Sequence, residues 1–355
     1  MKTSAKHTCR QLAGLLEQYG VTDIVVSPGT RNAPIVMALH RSGAYRLHHC
    51  VDERSAAFRA LGLAVASGRP VAMTCTSGTA MLNYGPAMAE AFYSRVPLIA
   101  ITADRPARWI DQRDSQTIRQ HGAMDAYVRC AVDIADDCDP GWSNRLINDA
   151  LHAATGNIPG PVHINVQLDA PLTGEVDADP TDGCRKIEVF RPAPDVQSIE
   201  AFIRGILSPC EDSSVGFHAP KVMLFICGMM PHEAEAIRPL LKELRTSGIA
   251  IVPEIQSSLT DCATVTAGAL EAALQRREVA DDLYPDVLIT LGGSAVSATI
   301  KAWLRRCPTL RHISVGYDDN TVDTYGHLAV TVDSSPAAFL AALSAALSAH
   351  PAAQA

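Results

Sequence analysis

Short apolar runs rich in Val and Ile recur along this chain, each closed by turn-forming residues and followed by a stretch with helical spacing. Leu12, Leu15 and Leu16 share one face of a helix predicted over residues 6–19, and Gly20 is placed to stop it. The run Ile24-Val25-Val26 is β-branched and unbroken, as suits a strand buried on both faces. Ser27-Pro28-Gly29-Thr30 ends it, and a helix is predicted over residues 33–40. A second strand, near residues 47–51, brings Glu53 to the carboxyl end of the sheet, where ligands bind in open α/β sheets. Strands at 70–74, 97–102 and 161–166 and helices at 56–66 and 144–154 continue the alternation. A further helix follows Thr76-Ser77-Gly78-Thr79-Ala80, and residues 109–122 are polar and loop-like. Strands alternating with helices predict a parallel, doubly wound sheet.

Between residues 171 and 220 the pattern gives way to segments rich in Pro, Asp and Gly, as in an exposed inter-domain connection. A second α/β unit follows. Its strands are predicted at 222–227, 249–252, 286–291, 312–315 and 328–332, and its helices at 233–245, 298–304 and 336–347. The expected fold class is α/β, with two doubly wound, mostly parallel-sheet domains over 1–170 and 221–355, joined by a linker over 171–220.

Composition narrows the function classes. The chain has 355 residues, 47% hydrophobic and 19% charged, enough for two packed cores. A formal net charge of -8 argues against nucleic acid as a partner. Ten cysteines are scattered without a CxxC pair, and residues 1–20 form an amphipathic pattern rather than a signal-peptide core. A soluble, cytoplasmic protein is expected. No apolar run reaches the roughly 18 residues that membrane insertion needs.

Several residues could carry chemistry. Glu53 opens a predicted helix, where a carboxylate can cap N–H groups and complement the dipole or can face a ligand. Ser77-Gly78-Thr79 can cap a helix or let a flat ring approach the backbone. Arg31, Arg105 and Arg119 lie in loops that can leave one sheet edge, where a guanidinium can grip carboxylates bidentately or pair with local acids. His48 and His49 alternate across a strand and cannot chelate one metal together. Gly292-Gly293-Ser294 follows a strand as a phosphate loop does, but a lone Gly-Gly is weak, and a structural turn is preferred.

Five segments in order carry a resemblance: SPGTRNAP (27–34), VDERSAAFRALGLA (51–64), TSGTA (76–80), TADRP (102–106) and SQTIRQ (115–120). Together they resemble the start of the 2-succinyl-5-enolpyruvyl-6-hydroxy-3-cyclohexene-1-carboxylate synthase family, called MenD, whose members use thiamine diphosphate in menaquinone biosynthesis. The resemblance implies a pyrimidine-binding domain followed by a middle domain. It assigns Glu53 to the aminopyrimidine nitrogen, where a carboxylate favours ring protonation and so activates the cofactor. It places Ser77, Gly78, Thr79 and Asn83 in the cofactor pocket, and Ser27, Arg31, Arg105, Ser115 and Gln116 in the substrate loops.

The implied substrates are 2-oxoglutarate, which is decarboxylated, and isochorismate, to which the succinyl-semialdehyde unit is added. A homo-oligomer and Mg²⁺ (or Mn²⁺) are implied too. The family's metal and diphosphate ligands, a GDG and a later NN segment, are not matched. The 355 residues contain no Gly-Asp pair, and Asp318-Asp319-Asn320 sits in the wrong context. No metal ligand is therefore assigned, and the diphosphate-binding domain is expected to be missing from this stretch. The alternatives are a non-catalytic binding or assembly module, or one part of a split thiamine-diphosphate enzyme.

Overall fold

In the first unit, Met1–Phe190, the periodicity resolves into a helix-covered parallel sheet. The computed structural model describes residues 2–179, 183–189, 196–206, 208, 210–212, 216–276, 281–317 and 322–348. Strand β1 (Lys2–Ser4) and helix α1 (His7–Gln18) lead into β2 (Asp23–Val26), α2 (Ala33–Ser42), β3 (Arg46–His49), α3 (Glu53–Ser67) and β4 (Val71–Cys75). A 3₁₀ turn, Gly78–Tyr84, runs into α4 (Gly85–Tyr93). Then come β5 (Leu98–Asp104), β6 (Cys130–Ile134), α5 (Pro140–Thr155), β7 (Val162–Gln167) and β8 (Glu175–Asp177).

Six strands form one sheet in the order β3-β2-β4-β5-β7-β6, every pair parallel. Strand alternation divides its core. Ile24 and Val26 face Leu12, Leu16, Ile35, Leu39 and Leu151 of α1, α2 and α5. Val25 and Met73, equally buried, turn to the opposite face, where α3 packs on β2 and β4. β1 pairs antiparallel with β8 apart from this sheet. Strand β6 was not expected. Its Asp133 interrupts the apolar run and is held by Asn165 and Gln167 of β7 at 2.7 Å each.

The order of the sheet reverses at β2, which is followed by β3 on one side and β4 on the other. Their exits define a topological switch point, where the chain leaves in opposite directions and opens a crevice. The loops there interlock. A Cβ on Gly29, in the β2 exit, would lie 2.4 Å from the Thr76 Cβ in the β4 exit, so only glycine lets the two backbones approach so closely.

The second unit, Arg191–Ala355, has its own core. Helix α6 (Val196–Ile206) and a short antiparallel pair, β9 (Cys210–Asp212) with β10 (Gly216–His218), lie within the stretch expected as linker. They precede β11 (Val222–Ile226), α7 (Pro231–Leu244), β12 (Ala250–Pro253), α8 (Ala267–Leu274), β13 (Val287–Leu291), α9 (Ala298–Leu304), β14 (Arg311–Val315), β15 (Leu328–Val332) and α10 (Pro336–Ser348). The five-stranded sheet has the order β12-β11-β13-β14-β15, again wholly parallel. Helices α6, α7 and α10 share one core cluster with it, while Trp303 of α9 stacks on Tyr284 in the other. Both sheets are the doubly wound α/β kind expected. Among the described residues, no helix is long and apolar enough to cross a membrane.

Candidate active site at the first switch point

At the start of α3, two adjacent acids divide the work. Asp52 is the N-cap, its Oδ1 accepting the Ser55 N–H at 2.7 Å. That leaves Glu53, half-buried in the first turn, to face the crevice. It lines an open pocket of about 370 Å³ together with Thr76, Ser77, Gly78, Thr79, Ala80, Asn83, Gln116, Thr117 and Ile118. The β4 exit curls around this space because Gly78 adopts φ +86°, a left-handed conformation that side chains resist. Asn83 sits one turn on, its Nδ2 donating to the Thr79 carbonyl at 3.2 Å.

The pocket therefore gathers Glu53, Ser77, Gly78, Thr79, Asn83 and Gln116 from the expected set. Ser27, Arg31, Arg105 and Ser115 do not line it. Ser27 is buried, and its hydroxyl and the Cys75 thiol lie against the Tyr84 hydroxyl. Neither the Ser27 nor the Tyr84 oxygen has a well-formed hydrogen bond there. Burial holds the Tyr84 phenol protonated far above its usual range and pushes the Cys75 thiol up to about 12, so neither ionises at neutral pH.

Arg31 and Arg105 form a second cationic group. Arg31 Nη1 donates to the Leu168 carbonyl at 2.6 Å. Burial, then repulsion from Arg105, lowers its pKa, which places the two guanidinium groups within electrostatic reach of each other. Arg105 is fastened to the loop bearing Gln116. It pairs with Asp114 at 2.9 Å and donates to the Ser115 carbonyl at 3.1 Å and hydroxyl at 3.3 Å. Arg119 instead makes an exposed pair with Asp111 at 2.8 Å, the local-acid alternative for that residue.

Elsewhere the other candidates take structural parts. His48 Nε2 lies 2.8 Å from Asp23 Oδ1 and its Nδ1 3.2 Å from Arg59 Nη2. Since arginine only donates, Nδ1 is the acceptor from Arg59 and Nε2 the donor to Asp23. In the second unit, Gly292 seats so close to Gly228 that a Cβ would lie 2.7 Å from the Gly228 carbonyl oxygen. The buried Glu254 carboxylate accepts the N–H groups of Val296 at 2.9 Å and Ser297 at 2.7 Å, just ahead of α9. Those are the donors a phosphate would need. Asp318-Asp319-Asn320 lies outside the described residues. Among the described residues, no group of three His, Cys, Asp or Glu could hold a metal ion.

Sequence reasoning did not single out Thr76, Thr117, Ile118 or the buried Gln120. The signal was present, because all four lie inside the quoted TSGTA and SQTIRQ segments.

Residues 6–124 match the family model of the thiamine pyrophosphate enzyme N-terminal TPP binding domain. The chain is similar to 2-succinyl-5-enolpyruvyl-6-hydroxy-3-cyclohexene-1-carboxylate synthases from several bacteria. It is 37% identical over 321 residues to that of Porphyromonas gingivalis, covering 88% of this chain and 53% of the relative. For Bacteroides thetaiotaomicron the values are 34% over 348 residues, 95% and 59%. For Geobacillus kaustophilus they are 36% over 322 residues, 86% and 54%. The chain is thus a homologue of these synthases along nearly all its own length. It spans little more than half the length of these three relatives.

Proposed function

We propose that this chain, a homologue of 2-succinyl-5-enolpyruvyl-6-hydroxy-3-cyclohexene-1-carboxylate synthases, supplies the pyrimidine-binding and middle domains of such an enzyme. The reaction is decarboxylation of 2-oxoglutarate followed by addition of the resulting four-carbon unit to isochorismate. The observation that carries this reading is that Glu53 and the Ser77-Gly78-Thr79 turn meet in one pocket at the switch point, with Asp52 relieving Glu53 of the capping task.

The residues present fit the cofactor's aminopyrimidine ring. The positive-φ Gly78 keeps the backbone low enough for a flat ring, and Glu53 offers a carboxylate to a ring nitrogen. When bound, thiamine diphosphate supplies the carbanion chemistry that no side chain can. This chain's part is to hold the ring and favour its protonation through the Glu53 carboxylate. Arg31 and Arg105 are assigned to the substrate carboxylates, which a guanidinium can orient through bidentate hydrogen bonds. Ser27, the first residue after β2, ties that exit to its neighbours: its N–H donates to the Thr74 carbonyl at 2.9 Å and its carbonyl accepts the Asn32 Nδ2 at 3.0 Å.

Among the described residues, no group of three His, Cys, Asp or Glu could hold the metal. Mg²⁺ or Mn²⁺ and the diphosphate are therefore assigned to a diphosphate-binding domain, in a cytoplasmic homo-oligomer. Exposed apolar side chains on and beside α3 and α4, among them Phe58, Leu82 and Tyr93, support association through the first unit. The test is 2-oxoglutarate decarboxylation with that domain and Mg²⁺ supplied. Turnover is expected only when both parts are present, and its absence from every combination would defeat the reading.

A further inference from the structure

The loop that carries Gln116 is tied to the pocket turn at two points. A Cβ on Gly78 would lie 3.2 Å from the Gln116 carbonyl oxygen, so the two backbones are in contact. Four residues on, the buried Gln120 accepts the Gly78 N–H on its Oε1 at 2.7 Å. Its Nε2 donates to the Ala103 carbonyl at 3.2 Å and to Asn165 Oδ1 at 2.9 Å. Asn165 Nδ2 in turn donates to Asp104 Oδ2 at 2.9 Å and to Asp133 Oδ1 at 2.7 Å. The other Asp104 oxygen accepts the Arg105 N–H at 2.7 Å.

The two amides cannot be turned over. The Gly78 N–H only donates and the Ala103 carbonyl only accepts, which fixes the oxygen and nitrogen of Gln120. That nitrogen requires an oxygen from Asn165, leaving the Asn165 nitrogen for the two carboxylates. One hydrogen-bond polarity therefore runs from the pocket turn to Asp104, which accepts from both sides: from Asn165 and from the Arg105 N–H. Gln120 and Asn165 are each 1% exposed and Asp104 4%, so water does not offer substitutes.

We propose that Gln120 is a positioning residue that holds the Gly78 turn and, through Asn165 and Asp104, keeps that turn and the Arg105 loop in one register. It does not line the pocket and acts only through the groups it holds. The inference rests on the reading of the pocket as the pyrimidine site. Its consequence is that affinity for the cofactor and affinity for the 2-oxo acid are linked through one buried amide.

The test is made on the assembled enzyme, with the diphosphate-binding domain and Mg²⁺ present. Gln120→Glu keeps the volume but sets a carboxylate oxygen against the Ala103 carbonyl and Asn165 Oδ1. Gln120→Met fills the space with neither bond and keeps the test open if the glutamate variant does not fold. The control, Asn148→Ala, removes a buried amide on α5 that holds the Arg185 carbonyl and Ile187 N–H, outside the relay.

Thiamine diphosphate affinity by calorimetry, KM for 2-oxoglutarate, kcat and thermal stability are measured for each. Both Gln120 variants are expected to weaken cofactor affinity and raise KM by about tenfold, the loss of one buried hydrogen bond at each end. The control is expected to lose stability with both constants unchanged. Gln120 variants that lose stability alone would overturn the proposal. So would a change in cofactor affinity without a change in KM, because the relay would then end at Gly78. Glu53→Gln, run in parallel, separates the two readings. If it retains turnover, the pyrimidine-site reading fails; if it loses turnover while the Gln120 variants keep both constants, only the relay fails.

Discussion

Two neighbouring carboxylates, Asp52 and Glu53, take different parts at the start of α3: the first caps the helix and the second lines the pocket. Sequence left open whether Glu53 caps the helix, because a cap and a ligand both favour an acid there. The answer lies in a side-chain rotation that no spacing encodes: Asp52 accepts the Ser55 N–H, and Glu53 turns to the pocket. Asp52→Ala is expected to cost about 1 kcal/mol in chemical denaturation, the value of an N-cap. Glu53→Gln should leave stability unchanged. Asp104 gives a second test at this scale. Burial, set against hydrogen bonds from Asn165 and the Arg105 N–H, raises its pKa from 3.8 to about 6. The folded state then binds the proton more tightly than the unfolded one, so this contribution to stability is fully present below about pH 4 and is lost as pH rises through 6. Asp23 runs the other way. Hydrogen bonds from Arg46, then His48, depress its pKa, so its contribution is present above pH 3.8 and is lost as pH falls below that. A carboxyl resonance of Asp104 titrating near pH 6 in carbon-detected NMR is the expected outcome, and titration at an ordinary 3.8 would contradict the burial argument.

Among the elements, those around the site were the most legible. The β2 run is short, β-branched and ended by Pro-Gly. Where a strand carries a polar residue that is satisfied only in three dimensions, the pattern fails, as at β6 with Asp133. Helix α6 was hidden for another reason. Ile199, Phe202, Ile203 and Ile206 have helical spacing and pack on the second core, but they follow a Pro- and Asp-rich stretch that dominated the reading. The turns at the site depend on two glycines with different limits. At Gly78 an alanine must adopt φ +86°, at a cost of about 1–2 kcal/mol, and crowd Gln116. At Gly29 it must push Thr76 away from 2.4 Å, overpacking that typically costs about 1–3 kcal/mol. Both variants should lower the melting temperature, and Gly78→Ala should also weaken cofactor binding in calorimetry. A Gly78→Ala protein with unchanged affinity would show that the turn does not shape the site.

For the whole molecule, the pocket at the first switch point sets how much of the cofactor the proposed reading asks this chain to hold. The pocket offers one ionic hydrogen bond, about 1.5–3 kcal/mol, and ring contacts. Association must offset roughly 4–15 kcal/mol of lost translational and rotational freedom. These 355 residues alone are therefore expected to bind thiamine diphosphate poorly, whereas a diphosphate-binding domain with Mg²⁺ should restore binding. The pocket turn was legible in sequence from the TSGTA segment. The pairing of Gln120 with Gly78 was not, because it joins residues 42 positions apart through a side chain that gives no periodic signal. The most direct measurement is the rate of 2-oxoglutarate decarboxylation by this chain with the diphosphate-binding domain, with Glu53 intact and as Glu53→Gln at matched stability. Turnover by the first, with a loss of at least about a hundredfold in the second, is the expected general acid–base effect. Equal rates would show that Glu53 does not activate the cofactor.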